Sequence, residues 1–74
     1  MTVVIKLFAS LRNGRFKIKE LELPEGTCVL DVLNLLKLES SQVAIVRVNG
    51  KSANDDYVLQ EADQLALFPP MGGG

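Results

Sequence analysis

The sequence lacks histidine and tryptophan, and it contains a single cysteine, Cys28. One cysteine cannot form an internal disulfide, and without histidine the chain offers no recognisable ligand set for zinc or an iron–sulfur cluster. The Ser–His and Cys–His pairs that activate nucleophiles are excluded within this chain for the same reason. The residues therefore predict a protein that is not an enzyme, holds no metal and binds no cofactor. We expect Cys28 to be a small buried apolar residue.

The sequence also has little net charge and no long apolar segment. Eight Lys and Arg residues against nine Asp and Glu residues give a formal net charge of −1, which provides no electrostatic footprint for nucleic acid or an anionic membrane. No apolar run approaches the roughly 20 residues that a membrane-spanning helix needs, and no signal peptide opens the chain. We therefore expect a soluble, cytoplasmic protein of one small domain.

Hydrophobic alternation predicts two strands in the first third of the chain. Residues 2–8 place their odd-numbered apolar side chains on one face, as in a half-buried strand. Residues 16–23 also read as a strand, but their apolar positions change from one face to the other near Lys19–Glu20. Because side chains alternate strictly along a regular strand, this change of phase predicts a bulge or bend there.

A single amphipathic helix follows the segment PEGT. Apolar residues recur over residues 29–36 at i, i+3, i+4 and i+7, and Thr27 is a plausible N-cap. Leu30 and Leu35 lie off this stripe. We expect them to widen the buried face of the helix, and a contact with a partner is the alternative.

The second half of the chain reads as a hairpin and a last strand. Residues 43–50 form a strand that runs into Asn49–Gly50, a strong signal for a tight hairpin, with a short return strand near residues 51–53. Residues 64–68 form the final strand. Pro69–Pro70 end it, because proline has no N–H to donate to a neighbouring strand.

This order of elements predicts an α+β fold, a β-grasp roll. One helix can cover only one face of the sheet, and the long crossover lets the first and last strands pair in parallel at its centre. We expect a mixed sheet of four or five strands with the helix packed across one face, formed by residues 1–70.

Residues 71–74 form a short C-terminal segment, Met-Gly-Gly-Gly, that cannot pack. Glycine has no side chain to bury and loses more entropy on ordering than other residues, so we expect a flexible tail. Pro69–Pro70 should stiffen its exit from the domain. The alternative is an engineered linker or a truncation scar, which would explain neither the two prolines nor the strand before them.

Several segments together resemble one family. LFASLR, the helix opening PEGTCVLDVL, the Val-Asn-Gly hairpin and the ending LQEADQLALFPPMGGG are similar to the MoaD/ThiS family of ubiquitin-like sulfur carrier proteins, over essentially the whole chain. The FPP-x-x-GG ending is closest to the small subunits of molybdopterin synthase, whereas the compact length is closer to the thiamine-pathway carriers. Ala62 stands where the family usually has glycine, and Ser52 falls where related carriers often present an apolar contact.

The resemblance implies a function centred on Gly74, with Gly73 before it. In this family a ubiquitin-activating-type enzyme adenylates the terminal carboxylate with ATP and magnesium, and a sulfur donor, such as a sulfurtransferase or cysteine desulfurase, converts it to a thiocarboxylate. The acceptor would be the large subunit of molybdopterin synthase, for the molybdenum or tungsten cofactor. A thiazole synthase in thiamine synthesis and the conjugation of Gly74 to target lysines are the alternatives. The free carrier would be a monomer.

A partner-binding surface is predicted on the helix-free face of the sheet, near the tail. Period-two alternation sends Phe8 and Phe68 to this face and turns Ile45 and Arg47 outward beside them, a composition typical of interface hot spots. The resemblance implies that partners bind here. The predicted partner-binding residues are Phe8, Ile45, Arg47, Phe68, Pro69, Pro70, Met71 and Gly72.

Overall fold

The fold consists of five strands and one α-helix in residues 1–70, the part of the chain that the computed structural model describes. Two short 3₁₀ helices, Ala9–Arg12 and Ser40–Gln42, lie in the connections. The main elements are β1 (Thr2–Leu7), β2 (Ile18–Glu22), α1 (Val29–Leu35), β3 (Ile45–Val48), β4 (Lys51–Ser52) and β5 (Gln64–Phe68).

The strands form one mixed sheet in the order β2-β1-β5-β3-β4. The central pair, β1 and β5, is parallel, and each of the other neighbouring pairs is antiparallel. The hairpin between β3 and β4 turns at Asn49 (φ 53°) and Gly50 (φ 83°), two successive left-handed residues as in a type I′ turn. With α1 on one face, this is the predicted β-grasp fold, so the predicted fold class is confirmed.

The core lies between the central strands and α1. The inward residues of β1 and β5 are completely buried, and burying a side chain of this size contributes about 1.5–3 kcal/mol to folding. Leu59, from the loop before β5, is buried with them. The side chains with less than 2% exposure are Val3, Ile5, Leu7, Val29, Val32, Leu33, Leu59, Leu65 and Leu67.

The predicted bulge in the second strand is absent. β2 pairs with β1 in one uninterrupted register, from Thr2 opposite Glu22 to Lys6 opposite Ile18. The apparent change of phase arises because the strand begins only at Ile18, whose side chain points away from the helix and is 57% exposed. Phe16 packs against the core from the loop that precedes the strand. The prediction of a bulge was therefore wrong.

The helix begins one residue later than predicted, with Cys28 rather than Thr27 at the N-cap. The backbone N–H of Cys28 donates to the Asp31 carboxylate at 3.0 Å, a favourable position for a negative charge in the first turn. The Thr27 hydroxyl instead donates to the carbonyl oxygen of Pro24 at 2.7 Å. Cys28 is half-buried, so the expectation of a buried cysteine was also wrong.

The helix buries a narrower face than predicted. Leu30 is 40% exposed and Leu35 is 59% exposed, so neither widens the buried face. The reason is geometric, because only one side of a helix can face the sheet and both leucines lie off the stripe that does so. That stripe is formed by Val29, Val32 and Leu33.

Candidate partner-binding surface

The last strand fixes the point from which the C-terminal segment leaves the domain. Near the end of β5, the backbone N–H of Phe8 donates to the carbonyl oxygen of Leu67 at 3.2 Å, and that of Ala44 donates to the carbonyl oxygen of Phe68 at 2.8 Å. The strand is thus hydrogen-bonded on both sides up to Phe68. Pro69–Pro70 follow, and their missing N–H groups end the pairing.

Phe8 and Phe68 stack on each other on the helix-free face. Their ring centroids lie 4.3 Å apart and their planes differ by 10°; this stacked pair is called the aromatic pair below. Both rings are half-buried. The Arg12 guanidinium lies 5.5 Å from the centroid of the Phe8 ring and donates through Nε to the carbonyl oxygen of Leu7 at 2.7 Å. The predicted proximity of the two rings is confirmed, and their role in binding stays a prediction.

The other two predicted body residues lie beside the aromatic pair. Ile45 is directly opposite Phe68, and Arg47 is opposite Ala66, one outward position further along β5. Ile45 is half-buried and Arg47 is exposed. The strand register adds Lys6, which also stands opposite Ala66, from β1. Period-two alternation in residues 2–8 already sends this lysine outward, but it was not among the predicted site residues.

Of the predicted tail residues, Pro69 and Pro70 lie within the part of the chain that the structure describes. Pro69 is half-buried and Pro70 is exposed; together they help to line a depression whose other wall includes Arg15. Met71, Gly72, Gly73 and Gly74 lie outside the described residues, so their predicted roles remain predictions.

A buried carboxylate holds together the opposite end of β5. Asp63 is 6% exposed and accepts hydrogen bonds from Asn49 Nδ2 (2.9 Å), the Tyr57 hydroxyl (3.2 Å) and the backbone N–H of Gln60 (2.8 Å). Desolvation, reinforced by the hydrogen bond and the negative charge of Asp63, raises the pKa of Tyr57 above its ordinary value of 10.0. This cluster ties the β3–β4 hairpin to the loop before β5 and has a structural role.

The same loop contains Ala62 in the left-handed region, at φ 68°. Its backbone N–H donates to the carbonyl oxygen of Thr2 at 2.8 Å, which joins the loop to β1. This φ is unfavourable for alanine, because its Cβ crowds the backbone, whereas glycine adopts it freely. The alanine therefore keeps the turn that a glycine would form more easily.

Residues 1–70 contain neither a candidate metal site nor a candidate membrane-spanning helix. These residues contain no group of three or more His, Cys, Asp or Glu side chains placed to hold a metal ion. None of their helices has the length and apolar character needed to cross a bilayer.

The chain is similar to known small proteins. The model of the ThiS family matches residues 5–74. SAMP1 from Haloferax volcanii, a small archaeal modifier protein, is 29% identical, with a TM-score of 0.78 and full coverage of both chains. A Pyrococcus furiosus protein assigned as subunit 1 of molybdopterin converting factor is 30% identical, with a TM-score of 0.76, and the alignment covers 96% of this chain and 99% of that one.

A further structure shares the fold alone. It is the complex of subunits 1 and 2 of molybdopterin-converting factor from Helicobacter pylori, in which the matching chain is 18% identical, with a TM-score of 0.68 and full coverage of both chains. No curated protein sequence matches this chain.

Proposed function

The chain belongs to the ThiS family, and on that premise we propose that it is a sulfur carrier that acts through the carboxyl group of Gly74. Its family and fold are those of the ThiS/MoaD-type ubiquitin-like sulfur carriers and modifiers. Proteins of this type are small carriers rather than enzymes. The proposal goes further, to the reacting group and the acceptor.

The chemistry requires activation of a carboxylate. A C-terminal carboxyl group has a reference pKa of about 3.3–3.7, so at neutral pH it is ionised and a poor electrophile. In the proposed reaction this carboxylate attacks the α-phosphorus of ATP within a ubiquitin-activating-type enzyme that holds magnesium, and pyrophosphate leaves. The persulfide of a sulfurtransferase or cysteine desulfurase then attacks the carbonyl carbon and AMP departs, which leaves an acyl disulfide. A thiol reductant next attacks the donor sulfur of this S–S bond, so that the outer sulfur stays on Gly74 as the thiocarboxylate and the donor leaves as a disulfide with the reductant.

The fixed end of β5 is the observation that supports this proposal most directly. Hydrogen bonds on both sides hold the strand up to Phe68, and Pro69–Pro70 restrict the direction in which the chain continues. Four more residues, extended, reach roughly 13 Å at about 3.3 Å per residue. Because glycine has no side chain, the three glycines would not obstruct passage of this segment into a narrow channel of a partner, and they would leave the terminal carbonyl open to attack.

We propose the large subunit of molybdopterin synthase as the acceptor. The FPP-x-x-GG ending supports this choice, as does the similarity to the Pyrococcus furiosus protein assigned as subunit 1 of molybdopterin converting factor. The H. pylori structure contains subunits 1 and 2 of such a factor together, which gives a precedent for the pairing within this fold. A thiazole synthase, and hence thiamine synthesis, remains the alternative acceptor.

A second candidate function is conjugation to proteins. SAMP1 is a modifier protein, and it matches the chain over the full length of both. In this function the adenylated Gly74 would be attacked by a lysine amine of a target. The expected sign is a set of higher-mass adducts that survive denaturation under reducing conditions.

Mass spectrometry tests the proposal. We expect the protein ending at Gly74, after incubation with its activating enzyme, ATP, Mg²⁺ and a sulfur donor, to gain the mass of exchanging one oxygen for one sulfur. Fragmentation should place that mass on the last residue. A matched variant with one extra glycine after Gly74 should fold equally well and deliver no sulfur. Sulfur delivery by that variant would refute the proposal.

Parallel assays distinguish the acceptors. The thiocarboxylated protein is mixed in turn with the large subunit of molybdopterin synthase, with thiazole synthase and with a lysine-containing cell extract. We expect association and sulfur transfer with the first. Transfer only to thiazole synthase would replace the proposed pathway, and covalent adducts without any sulfur transfer would favour the modifier function.

A further inference from the structure

Two cationic side chains flank a small residue on the helix-free face. Lys6 on β1 and Arg47 on β3 both stand opposite Ala66 on the strand between them. Because neighbouring strands lie about 4.8 Å apart, the Cα atoms of Lys6 and Arg47 are roughly 10 Å apart. Because the side chain of Ala66 is only a methyl group, it leaves space between the two long side chains.

The cross-strand neighbours do not neutralise these two cations. On its other side Lys6 faces Ile18, and Arg47 faces Ser52. Glu20 is one outward position further along β2, opposite Val4, and is only a diagonal neighbour of Lys6. Both cations line a shallow depression of about 540 Å³ together with the aromatic pair, Ala66 and three uncharged residues. Within residues 1–70, no acidic side chain contributes to its wall.

Docking on the aromatic pair would remove water from both cations. Phe8 and Phe68 line the same depression as Lys6 and Arg47, so a partner that covers the rings also covers the charges. A charge that is desolvated without an opposite charge is strongly unfavourable. The partner must therefore bring an anion to this position, and an arginine is well suited to bind a carboxylate through two parallel hydrogen bonds.

We propose that Lys6, Ala66 and Arg47 form a subsite for a carboxylate, and that a protein partner presents an Asp or Glu side chain to it. A protein fits better than a nucleic acid because the neighbouring row, Phe8, Phe68 and Ile45, requires an apolar counterpart, and because the chain has a net charge of −1. The inference deepens the proposed function, on which the identity of the partner rests.

A pair of variants tests the subsite without any partner. The Ala66→Asp variant places a carboxylate between the two cations, and the Ala66→Asn variant places an uncharged side chain of the same size there. We expect the Ala66→Asp variant to melt at the higher temperature at neutral pH and low salt. Ionisation of the introduced carboxyl provides this advantage, so it should disappear as the pH falls below about 4 or as salt is raised. An equal or lower melting temperature for the Ala66→Asp variant would overturn the inference.

Partner affinity provides the second test, with the purified large subunit of molybdopterin synthase or the purified activating enzyme from the same organism. We expect Arg47→Gln to weaken binding about tenfold and Lys6→Gln/Arg47→Gln to weaken it further and to remove most of its salt dependence. Lys37→Gln, which removes a charge just beyond the end of α1, is the matched control and should change the Kd less than twofold. Binding of Ala66→Asp should be weaker than that of Ala66→Asn, because its own carboxylate occupies the subsite.

The possible results separate the subsite from the carrier function. In one possible result, the wild type binds its partner and Phe68→Ala binds poorly, while Arg47→Gln and Lys6→Gln both bind like wild type. That result would refute the carboxylate subsite and leave the carrier function standing. If the wild type binds neither protein, the proposed function fails, and the comparison of Ala66→Asp with Ala66→Asn still decides whether the subsite exists. Tight binding of the wild type to RNA that is lost in the double variant would also overturn the inference in favour of a different ligand class.

Discussion

Replacing Phe68 with alanine should weaken both folding and partner binding, and the structure allows the two effects to be estimated separately. Removing a fully buried phenylalanine side chain costs about 3–5 kcal/mol of stability. Phe68 is only half-buried, and its stacking on Phe8 contributes about 0.5–1.5 kcal/mol. Half of the fully buried cost is about 1.5–2.5 kcal/mol, so we expect Phe68→Ala to lower the free energy of unfolding by about that amount, or the Tm by roughly 6–20 °C.

The cost to partner affinity should be about 2 kcal/mol, roughly a 30-fold increase in Kd. The chain offers a matched control in Phe16, a half-buried phenylalanine that packs against the core from outside the aromatic pair. We expect Phe16→Ala to lower the Tm by a similar amount and to leave the Kd within about twofold of wild type, because distant core contacts do not enter the interface.

Calorimetric titration with the partner, at a temperature well below the Tm of every variant, measures the Kd. Thermal melts of the same variants measure the change in stability. The double variant Phe8→Ala/Phe68→Ala completes a cycle, and we expect a coupling of about 0.5–1.5 kcal/mol between the two rings in the free protein. If Phe68→Ala and Phe16→Ala lose stability alike and neither changes the Kd, the aromatic pair only supports the fold and the assignment of the surface is wrong.

The remaining predictions concern the loop before β5 and its buried cluster. Ala62→Gly should raise stability by about 0.5–1 kcal/mol, because the relief of the left-handed conformation exceeds the added entropy of the unfolded chain; an unchanged or lower Tm would contradict this. Asp63→Asn should cost about 2–3 kcal/mol, since three donors lose a charged acceptor, whereas Asp56→Asn on the surface should have little effect. Tyr57 is the only tyrosine in a chain without tryptophan, so tyrosinate absorbance reports its titration alone, and the midpoint should lie above 10. Because its pKa is raised, the folded protein favours the neutral phenol of Tyr57. The resulting contribution to the free energy of unfolding is complete below pH 10 and is lost as the pH rises through the folded-state pKa. Tyr57→Phe should remove this loss of stability at high pH, and a titration midpoint at or below 10 would refute the assignment.

The sheet was predicted correctly because the local sequence patterns correspond to contacts that the fold makes. The alternation in β1 and β5 places apolar side chains toward α1, and the Asn49–Gly50 dipeptide fits the left-handed turn that joins β3 to β4. The same two alternations, combined with the parallel pairing of β1 and β5, brought Phe8 and Phe68 together. The alternation did not predict that the two rings stack, which only the structure shows.

The prediction of a bulge in the second strand was wrong because hydrophobic alternation does not show at which residue a strand begins. Phe16 and Ile18 share a period-two phase, but Phe16 precedes the strand, so no bulge is needed. Leu30 and Leu35 lie off the helical stripe, and their apolar character alone does not place them on the buried face. Lys6 was not predicted as a site residue because its role depends on a neighbouring Arg47. The two residues are far apart in sequence and become neighbours only because β1 and β3 both pair with β5.

The position of β5 also determines how the domain responds to a mechanical load. A partner that pulls on the C-terminal segment pulls along an interior strand, parallel to β1 on one side and antiparallel to β3 on the other. The force is directed along the strand, whereas the interstrand hydrogen bonds run across it. They are therefore loaded together in shear and do not open one after another as they would at a peeled edge. Tension on the end of β5 is therefore shared by its hydrogen bonds with β1 and with β3.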